Sequence, residues 1–105
     1  MIRNVYKFTF AKDVSIEEVN NAMAMAAIAV ESIYGEHAMM IDGKFYVSDR
    51  QRICLIDSES QLGQDLAKVF AGFIALNDKG AYTSEMIAFA KPLGSMVDHF
   101  RKYEC

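Results

Sequence analysis

The segment that most constrains this chain is 15–35, SIEEVNNAMAMAAIAVESIYG, which carries the start and stop signals of one long helix. Ser15 and Glu18 have the spacing of a capping box, in which each side chain accepts a backbone N–H from the other residue. Gly35 is the residue type that commonly ends a helix in a left-handed conformation. We therefore predict one helix from Ser15 to Gly35.

One face of this predicted helix is apolar at helical spacing and is expected to pack on a sheet. The residues of that face are Ile16, Val19, Met23, Ala26, Ala27, Val30 and Ile33.

A second set of residues on this helix is apolar where a surface helix is normally polar. The set runs through Asn21, Met25, Ile28 and Ser32. Large exposed apolar patches on small domains usually mark interfaces, so Ala24, Met25 and Ile28 are predicted interface residues in a homodimer. The alternative is that the C-terminal tail of the same chain covers them.

Length and composition predict one soluble domain. The chain has 105 residues, of which 52% are apolar and 24% charged, with a net charge of −3. This balance argues against an intrinsically disordered chain and against a nucleic-acid partner, whose phosphates attract basic surfaces. The N-terminus lacks a signal-peptide pattern, and no apolar run approaches the roughly 20 residues that cross a bilayer. We therefore expect a cytoplasmic protein without membrane contact.

The metal-ligating residue types do not fall at chelating spacings. The candidates are His37, Cys54, His99 and Cys105, and no pair matches C-x-x-C or H-x-x-x-H. We predict no metal and no cofactor. Cys54 lies in the apolar segment RICLID, which favours a small core residue with a free thiol over an activated nucleophile.

Four strands are predicted around two long helices. The predicted strands are Ile2–Phe10, His37–Asp42, Arg52–Asp57 and Ala81–Ala90. The Asp42-Gly43 step leaves two alternatives: a hairpin turn between short strands, or a bulge in one long strand over residues 37–47. We favour the bulge, with the turn at 48–50.

The second long helix is predicted over Ser58–Asn77. Ser58 and Gln61 form a possible second capping box, and Asp57 is also placed to cap the helix. Gly63 and Gly72 are expected where the helix approaches a neighbouring backbone closely. Its predicted apolar face comprises Leu62, Leu66, Val69, Phe70, Phe73 and Leu76.

The predicted order of strand, helix, strand, strand, helix, strand is typical of a ferredoxin-like α+β sandwich. Residues 1–90 would form a four-stranded antiparallel sheet with two helices on one face. The other face would stay open and carry Val5, Lys7 and Thr9. Residues 91–105 would form a tail that packs on the same domain or on a partner subunit, with an amphipathic helix over 95–103. The apolar edge of this helix comprises Met96, Val97, Phe100 and Tyr103.

The segment 32–73 resembles a group of short prokaryotic hypothetical proteins with no assigned activity. The matching residues are Gly35, Glu36, Arg52, Cys54, Ile56, Asp57, Gly63, Asp65, Leu66, Ala67, Phe70, Gly72 and Phe73. The resemblance implies a compact cytoplasmic domain and carries no mechanism.

Three functions are compatible with the sequence. The first is a non-enzymatic domain that self-associates. The second is a small-molecule binder or enzyme of the dimeric α+β barrel type, with His37, Tyr46 and Tyr82 as ligand-binding candidates. The third, an RNA-binding module, is disfavoured because GKFYV at 43–47 lacks the second glycine of the RNA-recognition signature, and Tyr6 and Phe8 fit a core.

Overall fold

The computed structural model describes residues 3–77 and 82–89. The elements follow in the order β1 (Arg3–Phe10), α1 (Ile16–Tyr34), α2 (Glu36–Asp42), β2 (Phe45–Ser48), β3 (Ile53–Asp57), α3 (Gln61–Asn77) and β4 (Tyr82–Phe89). The predicted tail helix, with His99 and Cys105, lies outside the described residues. No helix among the described residues is long and apolar enough to cross a membrane.

The four strands form one sheet in the order β2-β3-β1-β4, and each neighbouring pair is antiparallel. Phe8 of β1 pairs with Cys54 on one side and with Ser84 on the other. As a consequence β1 and β2 run parallel with β3 between them, and β3 and β4 run parallel with β1 between them. The predicted α+β class with a four-stranded antiparallel sheet is therefore confirmed.

The main core lies between one face of this sheet and the helices. Phe8 and Phe10 project from β1 toward α3, where Phe70 meets both rings edge-on, at centroid distances of 5.1 and 6.2 Å. From α1 the buried side chains are Val19, Ala22, Met23, Ala26 and Val30. Each large apolar side chain removed from water contributes about 1.5–3 kcal/mol, so this layer holds both long helices on the sheet.

A second, smaller apolar cluster occupies the opposite face of the sheet. It consists of Val5, Ile53 and Leu55, flanked by the half-buried side chains of Tyr46 and Ile87. Val5 lies on this face as predicted, because side chains alternate along a strand. The expectation that the face is open fails at its centre, where Val5 and Leu55 are both 0% exposed.

The predicted strand over His37–Asp42 is wrong, because this segment forms helix α2. Gly35 has φ +95°, and this conformation turns the chain directly from α1 into α2. Ala38 and Met39 face the core, while Met40 is exposed. The short apolar run did not distinguish a strand from one buried side of a short helix.

Both alternatives for Gly43 are wrong for the same reason. The Gly43 N–H donates to the Met39 carbonyl at 2.9 Å, so this glycine ends α2. β2 is a four-residue strand that starts at Phe45, and the predicted turn at 48–50 does join β2 to β3.

The helix starts differ in detail from the predictions. Ser15 is the N-cap residue of α1, but its side chain makes no capping hydrogen bond. The start of α3 is capped by the Ser60 hydroxyl, which accepts the Gly63 N–H at 2.9 Å. The proposed capping box at Ser58 is wrong, because the Ser58 hydroxyl donates instead to the Asn4 carbonyl at 2.8 Å.

Asp57 likewise does not cap α3. Its carboxylate accepts the Glu59 N–H at 3.0 Å and shapes the turn between β3 and α3. The last residue of each predicted apolar helix face is not buried, since Ile33 is 78% exposed and Leu76 is 77% exposed. Both residues lie in the last turn of their helix, beyond the main core.

Candidate functional site

The outer face of α1 is the candidate functional surface. Ile28 is 66% exposed and Met25 is 42% exposed, one turn apart on the side opposite the buried stripe. Ala24 beside them is also exposed. We call Ala24, Met25 and Ile28 the α1 patch. No described element covers it, and it coincides with the residues predicted as interface candidates.

The surroundings of the α1 patch are acidic. Ile28 lines a shallow cleft of about 190 Å³ together with Glu31, Ser32 and Glu36. The Ser32 hydroxyl donates to the Ile28 carbonyl at 2.8 Å, so its proton is already engaged within the helix. An apolar centre with a charged rim is the ordinary composition of a protein–protein interface.

Helix α2 adds further apolar surface next to α1. Its outward side chains Met40 and Ile41 are 72% and 53% exposed. This apolar surface escaped the sequence analysis because the segment was predicted as a strand. Had residues 36–42 been predicted as a helix, Ala38 and Met39 would have been assigned to its buried side, and Met40 and Ile41 to its exposed side.

The three ligand-binding candidates do not converge within one chain. His37 is exposed on α2. Tyr46 pairs with Leu55 and therefore lies on the sheet face away from the helices. Tyr82 lies on the helix-covered face of the opposite edge strand, with its ring 5.7 Å from Phe8 and 6.3 Å from Phe10. Tyr82 therefore packs against the core.

Cys54 is a core residue, as predicted. Its side chain is 0% exposed and belongs to the main apolar cluster between sheet and helices. Burial raises the pKa of the Cys54 thiol far above its ordinary value, because the thiolate would lose its hydration. The thiolate is the nucleophilic form, so this environment suppresses reactivity.

A polar link between the two long helices was not predicted. The Tyr34 hydroxyl donates to Asp65 Oδ2 at 2.5 Å, and Gln61 Nε2 donates to Asp65 Oδ1 at 3.0 Å. These bonds, first that from Tyr34 and then that from Gln61, lower the pKa of Asp65. The bond to Asp65 is also the main reason why the pKa of Tyr34 is raised.

A second cleft lies where β3 meets α3. Ile41, Asp42, Lys44, Asp57, Glu59 and Ser60 line about 150 Å³ there. The Asp57 carboxylate in it is 3% exposed and accepts the Glu59 N–H. Within the part of the chain that the structure describes, no group of three or more His, Cys, Asp or Glu side chains is arranged to hold a metal ion.

Comparison of the chain with models of protein families, with curated proteins and with solved structures finds no match. The site therefore has to be interpreted from its own geometry, which defines an α+β domain with an unpartnered apolar helix face.

Proposed function

We propose that this protein is a non-enzymatic domain that self-associates as a homodimer through the α1 patch. The observation that carries the proposal is the exposure of Ile28, 66%, near the middle of a 19-residue helix. Burying apolar surface contributes about 25 cal/mol per Å², so covering this face is favourable. Two copies related by a two-fold axis would present the same face to each other.

The partner is a second copy for two reasons. A helix that is apolar on two sides is normally buried on both, and the described part of the same chain covers one side. The net charge of −3 is small enough for two copies to approach without strong repulsion. At the rim, the acidic Glu31 and Glu36 would lie at the edge of the interface, where solvent screens them.

The fold proposed for this domain is ferredoxin-like, with α2 as an extra helix in the first crossover. The sheet order supports it, because the order from the opposite edge is β4-β1-β3-β2, and an antiparallel strand splits each β-helix-β unit. A cytoplasmic location, in line with the prokaryotic proteins that the sequence resembles, is part of the same proposal.

Ile28→Glu tests the self-association. The side chain is exposed in the single chain, so glutamate is compatible with the folded subunit but would place two like charges in the interface. We expect a dimer mass for the wild type and a monomer mass for the variant in sedimentation equilibrium, with unchanged far-UV circular dichroism.

Ile33→Glu is the matched control. Ile33 is 78% exposed on the same helix and lies about 140° around its axis from Ile28. This variant should keep the dimer mass. A wild-type monomer at all accessible concentrations, or a dimer that survives Ile28→Glu, would refute the proposed interface.

A further inference from the structure

A third cleft lies between α3 and the edge strand β4, and we call it the α3–β4 cleft. It encloses about 140 Å³ and is lined by Tyr6, Phe8, Ala67, Lys68, Ala71 and Ser84. The cleft exists because β4 packs chiefly against β1, whereas α3 packs chiefly against α1. Small side chains border the gap on both sides, since Ala67 and Ala71 lie one turn apart on α3 and Ser84 lies on β4.

The α3–β4 cleft is apolar at its base and polar at its opening. Phe8 and Ala67 are each 3% exposed and form the base. Tyr6 and Ala71 are half-buried, and the Tyr6 ring lies 6.5 Å from the Phe8 ring, centroid to centroid, at an angle of 37°. Lys68 is exposed at the opening. A bound molecule would therefore place an apolar part inward and a polar group outward.

The charge at the opening is positive. Lys68 is the one charged residue among the six that line the α3–β4 cleft. The neighbouring Asp65 has a lowered pKa mainly because of hydrogen bonds from Tyr34 and Gln61, and Lys68 adds a weaker electrostatic effect. The Lys68 ammonium attracts an anionic group, and the exposed Ser84 hydroxyl can donate a hydrogen bond to the same group.

The carboxylate nearest along β4 points away from the α3–β4 cleft. Glu85 follows Ser84, so its side chain projects from the opposite face of the sheet, where it lies 3.9 Å from the Lys7 ammonium. The clefts at the α1 patch and beside β3 both carry acidic side chains. By contrast, the residues that line the α3–β4 cleft include a lysine and no carboxylate, which favours an anionic ligand.

We propose that the α3–β4 cleft binds a small aromatic carboxylate, with its ring against Phe8 and Ala67 and its carboxylate toward Lys68 and Ser84. The volume fits a single ring, because an apolar cavity of about 150 Å³ holds benzene. Aromatic rings attract one another in tilted and edge-on arrangements, so Tyr6 and Phe8 favour an aromatic ligand. The alanine methyl groups leave space that larger side chains would fill.

This inference goes beyond the proposed self-association and does not depend on it. The α1 patch and the α3–β4 cleft share no residue. The site also differs from the dimeric barrel alternative, because its six residues come from one chain and include none of His37, Tyr46 and Tyr82.

A titration with benzoate tests the site through the methyl signals of Ala67 and Ala71 in isotope-labelled protein. We expect both signals to shift and saturate with a dissociation constant of about 10 mM or below, while the Ile28 signal stays unchanged. Acetate, which has the carboxylate without the ring, should give no saturable shift. An equal response to acetate, or benzoate shifts that do not saturate, would overturn the proposal.

Benzamide tests the charge, because it has the same ring and a similar shape without the negative charge. The wild type should bind benzoate about threefold more tightly than benzamide, and Lys68→Gln should remove this preference. Lys12→Gln, which removes an exposed lysine from the turn before α1, should retain it. Equal binding of both ligands by the wild type, or a preference that survives Lys68→Gln, would contradict the proposed site.

Ala71→Leu tests the location, because the larger side chain would occupy the space of the ring. We expect the benzoate shift of the Ala67 signal to disappear while far-UV circular dichroism stays unchanged. Ala29→Leu, the same change at a half-buried position on α1, should bind benzoate as the wild type does. Retained binding by Ala71→Leu, or equal loss in both variants, would refute the proposed location.

The monomer variant separates the two proposals. Ile28→Glu should bind benzoate with the wild-type dissociation constant, because Ile28 does not line the α3–β4 cleft. Failure of self-association would therefore leave the benzoate titration intact, and failure of the titration would leave the dimer mass intact. Loss of benzoate binding in Ile28→Glu would contradict a site built from one chain.

Discussion

The Tyr34 hydroxyl donates a hydrogen bond to Asp65 Oδ2 at 2.5 Å and thereby joins the end of α1 to the first half of α3. The bond is strongest between a protonated phenol and an ionised carboxylate, because a charged acceptor binds the O–H more tightly than a neutral carboxyl group does. It lowers the pKa of Asp65 and raises the pKa of Tyr34, and both directions follow from the same contact.

The first prediction concerns the pH dependence of stability. A carboxyl group whose pKa is lower in the folded than in the unfolded state stabilises the folded protein at pH above its unfolded-state pKa. This stabilisation is lost as the pH falls through its folded-state pKa. A phenol whose pKa is higher in the folded than in the unfolded state stabilises the folded protein at pH below its unfolded-state pKa. This stabilisation is lost as the pH rises through its folded-state pKa. The stability difference between wild type and Tyr34→Phe should therefore be largest near neutral pH and shrink at both extremes.

The same variant should also shift the titration of Asp65. Without the Tyr34 hydroxyl, the carboxylate keeps only part of its hydrogen bonding, from Gln61. We expect its pKa, followed by the carboxyl carbon chemical shift, to rise toward the ordinary aspartate value. An unchanged Asp65 titration would show that this bond does not govern the carboxylate.

Gly63 and Gly72 provide a matched pair of substitutions in α3. A Cβ at position 63 would lie 1.9 Å from the Asp57 carbonyl oxygen, whereas a Cβ at 72 has no atom within 4 Å. Gly63→Ala should lower the free energy of unfolding by about 3 kcal/mol or more, because backbone has to move. Gly72→Ala should raise it by about 1 kcal/mol through helix propensity. Denaturant unfolding measures both, and similar effects at the two positions would contradict the close approach.

Features that depend on the local spacing of apolar residues could be predicted from the sequence. Contacts between residues far apart in the chain could not. The buried stripe of α1 followed from helical spacing, and Cys54 followed from its apolar strand. The predicted close approach at Gly63 is confirmed, while at Gly72 it is wrong. Nothing in the sequence indicated that Tyr34 and Asp65, 31 residues apart, would meet. Their contact depends on how α1 and α3 pack.

The boundary errors have a shared physical cause. Ser58 and Asp57 both have side chains that cap helices, but the end of β3 uses them to bind Asn4 and Glu59 instead. The capping role passes to Ser60. Short polar side chains compete for several nearby backbone groups, and tertiary structure decides which one they bind. The same limit applies to α2, where an apolar run fits either secondary structure.

Arg52 holds the β2–β3 connection against the loop before α1. Its backbone has φ +56°, and its guanidinium donates to the carbonyls of Ala11, at 2.7 Å, and Val14. Arg52→Ala should lower the free energy of unfolding by about 2 kcal/mol, because it removes the hydrogen bonds of the charged guanidinium. Alanine disfavours positive φ as arginine does, so this variant does not relieve any backbone strain at position 52. Arg52→Gly should cost about 1 kcal/mol less, since glycine adopts positive φ readily. Equal costs in denaturant unfolding would show that the backbone conformation is not strained.

Cys54→Ala should lower the free energy of unfolding by about 1–2 kcal/mol, because it opens a small cavity in the main core. In a Cys105→Ser background, the remaining Cys54 thiol should react with a disulfide reagent only after unfolding. Its raised pKa and complete burial both oppose reaction in the folded state. Fast reaction of the folded protein would contradict the buried position.

The last prediction links self-association to thermal stability. If the α1 patch joins two copies, unfolding is coupled to dissociation, and the wild-type Tm rises with protein concentration. Met25→Glu places a charge in that interface, although Met25 is 42% exposed in the single chain and the subunit can accommodate glutamate. Its Tm should therefore be independent of concentration, as measured by calorimetry over a dilution series. Ile33→Glu should retain the wild-type dependence, and a wild-type Tm that does not change with concentration would contradict a dimer coupled to folding.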